Sequence, residues 1–309
     1  MSRPLPEFVA LGEALTDLIR ADGDRWVARS GGSTWNVARA AATLGLHSAF
    51  AGAVSVCCFG DALWSASADA GLDLRFAQRV ERSPLLAIVP QSHPPSYFFV
   101  GDDSADLHFD ALALPAGWMA HARWAHFGGI SLAREPLASR LLALAASLHA
   151  QGVAISYDLN FRRAVDRACL LRGFEHLCRL AAVIKLSDED LQGLMPDTEP
   201  AMALARVHAL NPEAWLLFTE GARGARLITP QGRWHADAPP ILPVDTLGAG
   251  DAAMAGLVAS RAREPEASAA QHLAFAVAAG SAACLHAGAH PPALSTVLAL
   301  RDGLHVRPL

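Results

Sequence analysis

The sequence predicts an α/β protein with a mainly parallel central sheet, helices on both faces and a small β-lid. Three observations predict it. Short β-rich runs alternate with longer Ala/Leu-rich helical patterns along the 309 residues. The runs are apolar throughout, as strands buried on both faces must be. Two more polar stretches interrupt the rhythm and flank the first strand–helix unit.

The candidate strands, in order, are "FVALG" (8–12), "SAFAGAV" (48–54), "RWAHFG" (123–128), "VAISYD" (153–158), "AVIKL" (182–186), "AWLLFT" (214–219) and "ARLIT" (225–229). Helical spacing predicts helices over 33–45, 60–70, 136–151, 167–181, 200–210, 249–263, 267–286 and 292–302. The interrupting stretches, about 14–30 and 80–101, read as hairpins with turns at Asp22-Gly23 and His93-Pro94-Pro95. No linker or internal repeat divides the chain, so one domain spanning 1–309 with a lid is expected. Ligands of such folds sit at the carboxyl ends of the strands.

Composition excludes several classes. Hydrophobic residues reach 52 %, yet charges and glycines break every apolar run well short of the ~18 residues of a membrane helix. The first residues lack the apolar core of a signal peptide, and a cytoplasmic protein is expected. The net charge of −5 without a basic tract argues against nucleic-acid and anionic-membrane partners. Five cysteines with no Cys-x-x-Cys pair argue against a disulfide framework or a structural zinc site. Thirteen scattered histidines show no metal-ligand spacing.

Two constellations carry chemistry. In "PVDTLGAGDAAMAG" (243–256) the glycines let backbone N–H groups converge where a helix begins, forming an anion nest reinforced by the helix N-terminus. Asp251 then stands beside a bound anion, the place for a base that takes a proton from an attacking hydroxyl. A plain glycine turn with an N-terminal capping Asp is the structural alternative. In "GGSTWNVARAAATLG" (31–45), Gly31 and Gly32 admit a close ligand, and Asn36 on the first turn can donate to and accept from hydroxyls. Asp17, after "LGEALTD", adds a carboxylate at the entry to the lid. Here the alternative is Ser33 as a helix cap behind a Gly-Gly turn.

The pair "GGSTWNVA" and "DTLGAGD", about 215 residues apart, resembles the PfkB (ribokinase-like) family of carbohydrate kinases over essentially the whole chain. "ALGEALTDL", "FGDAL", "HFGGISL", "DLNFR", "KLSDED" and "TEGARGARL" fall in the expected order; "HFGGISL" and "DLNFR" look most like the fructokinase and 2-keto-3-deoxygluconate kinase branch. The resemblance implies a ribokinase-like three-layer α/β/α sandwich, and an ATP- and Mg²⁺-dependent kinase acting on a primary hydroxyl of a small sugar. Asp251 would be the general base, and the backbone of Gly248, Ala249 and Gly250 the anion hole. Asp17, Gly32 and Asn36 would hold sugar hydroxyls. Thr219, Gly221 and Gly224 would line the nucleotide site, with adenine against the helix carrying Ala279 and Ala283. A monovalent cation, K⁺ in particular, would sit at Asp245 and carbonyls near Ala283 and Gly288. The lids of such kinases often pair, so a homodimer through the lid is expected.

Arg162 is the fixed positive charge nearest the expected cleft and is assigned to phosphate or to an acidic substrate group. Lys185, the only lysine, is grouped with the nucleotide site, though its strand-end position also suits an ordinary salt bridge. Trp35 is the tryptophan best placed for sugar contact, and Cys57-Cys58 reads as a small interior pair.

Three departures from the family pattern matter. "SDED" puts Ser187 and Asp190 where Asn and Glu are usual, so Asp190 would reach Mg²⁺ through water with altered geometry. Cys57 replaces an Asp in "VSVCCFG". In the lid, Gly101 stands where related ketose and keto-acid kinases carry an arginine, which favours a neutral sugar, fructose first, over 2-keto-3-deoxygluconate. The competing readings are another sugar kinase of the family, a non-catalytic sugar or nucleotide sensor on the same fold, and a dinucleotide-binding dehydrogenase. The last lacks Gly-x-Gly-x-x-Gly after the first strand.

Overall fold

The computed structural model of the chain describes residues 4–21, 23–92, 95–162 and 167–309. Asp22, His93 and Pro94 of the expected lid turns lie outside the described residues, as does Arg163.

The chain opens with β1 (Phe8–Leu11), then leaves the body for β2 (Leu15–Arg20) and β3 (Trp26–Gly31). It returns through α1 (Ser33–Thr43), β4 (Ser48–Ser55), α2 (Cys58–Asp69) and β5 (Ala77–Val80). A second excursion makes β6 (Leu86–Ser92) and β7 (Pro95–Val100). The body resumes with α3 (Trp118–His121), β8 (Trp124–Gly128), α4 (Leu137–Ala150), β9 (Ala154–Asp158), α5 (Arg167–Leu180) and β10 (Ala181–Ser187). There follow α6 (Asp188–Leu194), α7 (Pro200–Leu210), β11 (Trp215–Thr219), β12 (Ala225–Thr229) and β13 (Gly232–Ala236). The chain closes with α8 (Ala249–Arg263), α9 (Ala269–Ala283), α10 (Leu294–Arg301) and β14 (Val306–Pro308).

The main sheet runs β14-β13-β12-β11-β10-β9-β8-β1-β4-β5, parallel from β11 to β5 and antiparallel at the β12–β14 end. β1 lies between β4 and β8, so the chain departs to either side of it and leaves a crevice at its carboxyl end. The strands read as continuous apolar runs because both faces are covered. Val9 and Leu11 enter the core under α4 and α5, while Phe8 and Ala10 enter the core under α1, α8 and α9. α8 is buried without a break from Asp251 to Ser260, which explains its run of small apolar residues: no solvent face exists to need polar ones.

The four excursion strands form a second sheet, β3-β2-β6-β7, with a small core of Leu15, Leu85, Ala87 and Ile130. β13, β14 and β5 are absent from the predicted elements. β13 and β14 are short and polar, "GRWHA" and "VRP", and β5 is half-buried throughout, so none shows the apolar signature of the central strands. Trp35 is 1 % exposed and donates to Ser67 Oγ at 2.8 Å; it packs the core and offers no sugar platform. Cys57 and Cys58 are not an interior pair. Cys57 is the half-buried N-cap of α2, and Cys58 is exposed.

Candidate active site

Two helix N-termini meet at the carboxyl end of β1. α1 starts after Gly32, whose φ of 111° and closeness to Glu13 O, 2.8 Å from any added Cβ, admit glycine alone. α8 starts after Gly248, left-handed at φ 79° and pressed against Ala289. Asp251, in the first turn of α8, points across to α1. Its Oδ1 accepts from Ser33 Oγ at 2.7 Å and its Oδ2 from Asn36 Nδ2 at 2.8 Å. Both helix dipoles favour a carboxylate there.

Burial raises the Asp251 pKa, opposed by the hydrogen bonds from Ser33 and Asn36 and then by Lys185 and Arg162. Ser33 gives its hydroxyl to Asp251 instead of capping its helix, and the cap position is held by Gly32, which has no side chain. Asn36 Oδ1 is buried without a partner among the described residues, an acceptor for a ligand hydroxyl.

Beside Asp251, the amide of Ala249 donates to Thr246 O and that of Ala252 to Gly248 O. The amides of Gly250 and Asp251 donate to no group among the described residues. Free amides at a helix N-terminus make an anion site. Lys185 backs it, with Nζ 3.2 Å from where a Gly250 Cβ would stand. That ammonium is buried and pairs with Asp158 Oδ1 at 2.9 Å, so the salt bridge and the place beside the anion site are one arrangement. Burial opposes its charge, but Asp158, Asp190 and Asp251 raise its pKa.

The other end of the crevice belongs to the lid. Asp17, on β2, lies over Gly31, and its carboxylate takes no hydrogen bond among the described residues. Burial lifts its pKa to about 6, with Arg162 pulling it down and Asp251 pushing it up. Arg162 thus faces both acids, and its guanidinium lies 5.5 Å from the Tyr97 ring of β7.

The remaining expected residues divide. Asp245 Oδ1 accepts from Leu247 N at 3.0 Å and Oδ2 from Gly288 N at 2.8 Å, tying the 245–248 turn to the 284–288 loop. Asp190 is buried; Oδ1 accepts from Phe161 N at 2.6 Å, and Oδ2 from Ser187 N and Oγ at 2.7 and 2.8 Å. "SDED" is thus a capping box that starts α6. Thr219 ends β11, and Gly221 and Gly224 form the turn into β12. Ala279 and Ala283 are fully buried in α9, Ala279 against Gly256 of α8.

Sequence reasoning passed over three residues. Glu13 is buried, accepts from Ser33 N at 3.1 Å and from Ser131 N at 3.2 Å, and also binds Ser131 Oγ. Burial lifts its pKa to about 7, against those hydrogen bonds and with Asp106 adding to the rise. It stood inside the quoted "LGEALTD", where a carboxylate at the end of a buried strand was the available signal. Tyr97 is one of only two tyrosines. Ser33 enters the sequence reading only as a cap in the structural alternative for the Gly-Gly element.

A buried acid beside free helix amides, facing an open carboxylate and an open amide oxygen, suits phosphoryl transfer to a small hydroxyl compound, and comparisons with known proteins agree. The pfkB family carbohydrate kinase model matches residues 6–296. The fructokinase of Salmonella typhimurium is 32 % identical over 257 residues, covering 82 % of this chain and 83 % of that protein. The crystal structure of a Xylella fastidiosa fructokinase with bound ATP superposes with TM-score 0.85 at 27 % identity, covering 96 % of this chain and 99 % of that one. A Vibrio cholerae O395 fructokinase in fructose-, ADP- and calcium-bound form gives TM-score 0.80 at 25 % identity over 96 % and 98 % of the two chains. The chain belongs to the pfkB family of carbohydrate kinases, with the ribokinase-like fold.

Proposed function

We propose that this protein is an ATP-dependent fructokinase that transfers the γ-phosphoryl group to a primary hydroxyl of the sugar. The observation that carries the reading is Asp251: buried, oriented through both oxygens, and beside two free amides of its own helix. As the sugar hydroxyl attacks phosphorus, its proton passes to Asp251 and the bond to the leaving ADP oxygen breaks. The amides of Gly250 and Asp251, with Lys185 behind them, receive the phosphoryl charge. Asp17 and Asn36 Oδ1 accept from the other sugar hydroxyls.

Magnesium bound with ATP supplies charge neutralisation of the phosphates. Asp190 has three protein donors on its carboxylate and one Oδ1 lone pair left, which would suit contact with that ion through a bridging water. A monovalent cation is assigned to Asp245 and the 283–288 carbonyls, and the nucleotide base to the Thr219–Gly224 side.

Fructose is favoured over an acidic sugar by the lid. Arg134 reaches the Gly101 position, but it donates to Gly101 O at 2.6 Å and to Asp106 Oδ2 at 2.9 Å, which consumes its charge. The exposed Trp26, Val27, Phe98 and Val100 of β3 and β7 suit a second copy of the lid, so the protein is assigned as a homodimer. No described helix is long and apolar enough to cross a membrane; cytoplasmic location is part of the same proposal.

The test is ADP formation from Mg-ATP with fructose, ribose, tagatose, 2-keto-3-deoxygluconate and adenosine, with and without K⁺. Turnover highest with fructose is expected. Preference for the keto acid would overturn the lid argument, and sugar binding without ADP would leave a sensor.

A further inference from the structure

We propose that Ser33 is a positioning residue for the catalytic base: its hydroxyl, donated from the first turn of α1, fixes the Asp251 carboxylate for proton transfer. The inference rests on the kinase reading above.

Ser33 is in the place where a hydroxyl ordinarily serves its own helix. Serine at a helix start accepts from the amides two or three residues on. Here Gly32 is the cap, and the Ser33 side chain accepts from no amide of α1. The Ser33 backbone amide is already spent on Glu13 Oε1 at 3.1 Å, and the neighbouring Thr34 Oγ1 goes to Glu13 O at 2.8 Å. Only the Ser33 hydroxyl leaves this local set, reaching Asp251 from 218 residues earlier in the chain. It is 5 % exposed, so water does not compete for it.

The geometry is a two-point hold. Ser33 bonds one oxygen of Asp251 and Asn36 the other, which stops rotation of the carboxylate plane. Each oxygen retains a lone pair for an incoming hydroxyl. Asn36 has a second task, because its Oδ1 is open to ligand; the one proton of the Ser33 hydroxyl is given to Asp251. Deleting the Ser33 hydroxyl therefore acts on the base through the bond it removes.

The effect on pH follows from every group that faces the carboxylate: Ser33 and Asn36 from α1, Lys185 from β10, Arg162 after β9, and the acids Asp17 and Asp158. Ser33 stabilises the ionised form, so its loss raises the base pKa and narrows the active range on the acid side.

The experiment compares wild type, Ser33→Ala and Ser33→Thr by kcat, KM for fructose and the kcat–pH profile, with Tm as control. Ser33→Ala keeps a good helix former in α1. Its kcat is expected to fall about 10-fold, as for one hydrogen bond to a charged group. KM should stay within about twofold, while the acid limb moves up by about one pH unit. Ser33→Thr, which keeps the hydroxyl, should recover most of kcat and the original limb. An Ala variant with wild-type kcat and limb overturns the proposal. A raised KM at unchanged kcat overturns it too and makes Ser33 a sugar ligand. A lowered Tm with an unmoved limb reduces it to a structural residue. Absence of turnover by the wild type overturns the kinase reading itself, and this inference with it.

Discussion

The two ends of the crevice hold one acid each, and they are built in opposite ways. Asp251 belongs to the body: both oxygens are bonded, its helix is buried for ten residues, and Lys185 stands behind the adjoining turn. Asp17 belongs to the lid: it is half-buried, its carboxylate is unbonded among the described residues, and Arg162 favours its charge. One acid is held for a fixed task, while the other is left open for whatever enters. Proton transfer needs a base within a fraction of an ångström of its place. Recognition of hydroxyls needs free acceptors on an element that can close over them.

The largest test removes the held acid's basicity. Asp251→Asn keeps the shape and one acceptor oxygen but cannot take the proton. Turnover should fall about 100- to 10,000-fold, with ATP and fructose binding retained by titration calorimetry. Turnover near wild type would erase the distinction between the two ends.

The body end should also matter to folding, and the lid end should not. Lys185→Met leaves Asp158 buried without its partner at 2.9 Å. Breaking such a pair costs about 3–5 kcal/mol, so urea unfolding should show a loss of that order. Asp17→Asn should not lower the midpoint, because burial already disfavours the ionised carboxylate there. Equal midpoints for Lys185→Met and wild type would show that the cation is not integral to the body.

This division explains what the sequence disclosed. The glycine signatures announce both helix starts, because only glycine fits at 32 and 248, and apolar runs announce the central strands. Partnership across the fold is another matter. Ser33 at a helix start has a local use that any reading ranks first, and its actual partner is 218 residues away. "SDED" shows the converse: it was read as a metal element, and locally it is a capping box that begins a helix absent from the predicted set. Among the described residues the edge strand β14 pairs only with β13, and its residues "VRP" are half-buried or exposed. Tyr97 approaches Arg162 only because β7 folds over the crevice, which no spacing within the lid segment encodes.

Glu13 tests how tightly the body end is joined. It links the α1 start to the 129–131 turn, and its pKa rises from the ordinary 4.5 to about 7. Between those values the native state holds a proton that the unfolded chain has released. Stability is therefore highest below about pH 4.5 for this group, falls as pH rises to about 7, and is flat above. The shift corresponds to an order of 3 kcal/mol. Tm measured from pH 5 to 8 should decline, and Glu13→Gln should flatten that decline. An unchanged slope in the variant would place the dependence elsewhere.

The smallest expected effect is the most discriminating for the lid. Burial lifts the Asp17 pKa to about 6, so as the proposed sugar ligand it would meet the sugar as a carboxylate at neutral pH and as the neutral acid below about pH 6. A carboxylate accepts two or more hydroxyl hydrogen bonds, while the protonated group gives up part of that capacity. KM for fructose should therefore rise as pH falls through about 6, by roughly 10-fold for the loss of a charged hydrogen bond. Asp17→Asn should show a raised KM at all pH values, with the pH dependence of KM gone and kcat reduced far less than in Asp251→Asn. If instead kcat collapsed and KM held, Asp17 would be acting on the reacting hydroxyl. The open acid would then be a second catalytic group, and recognition would have to come from Asn36 and Arg162.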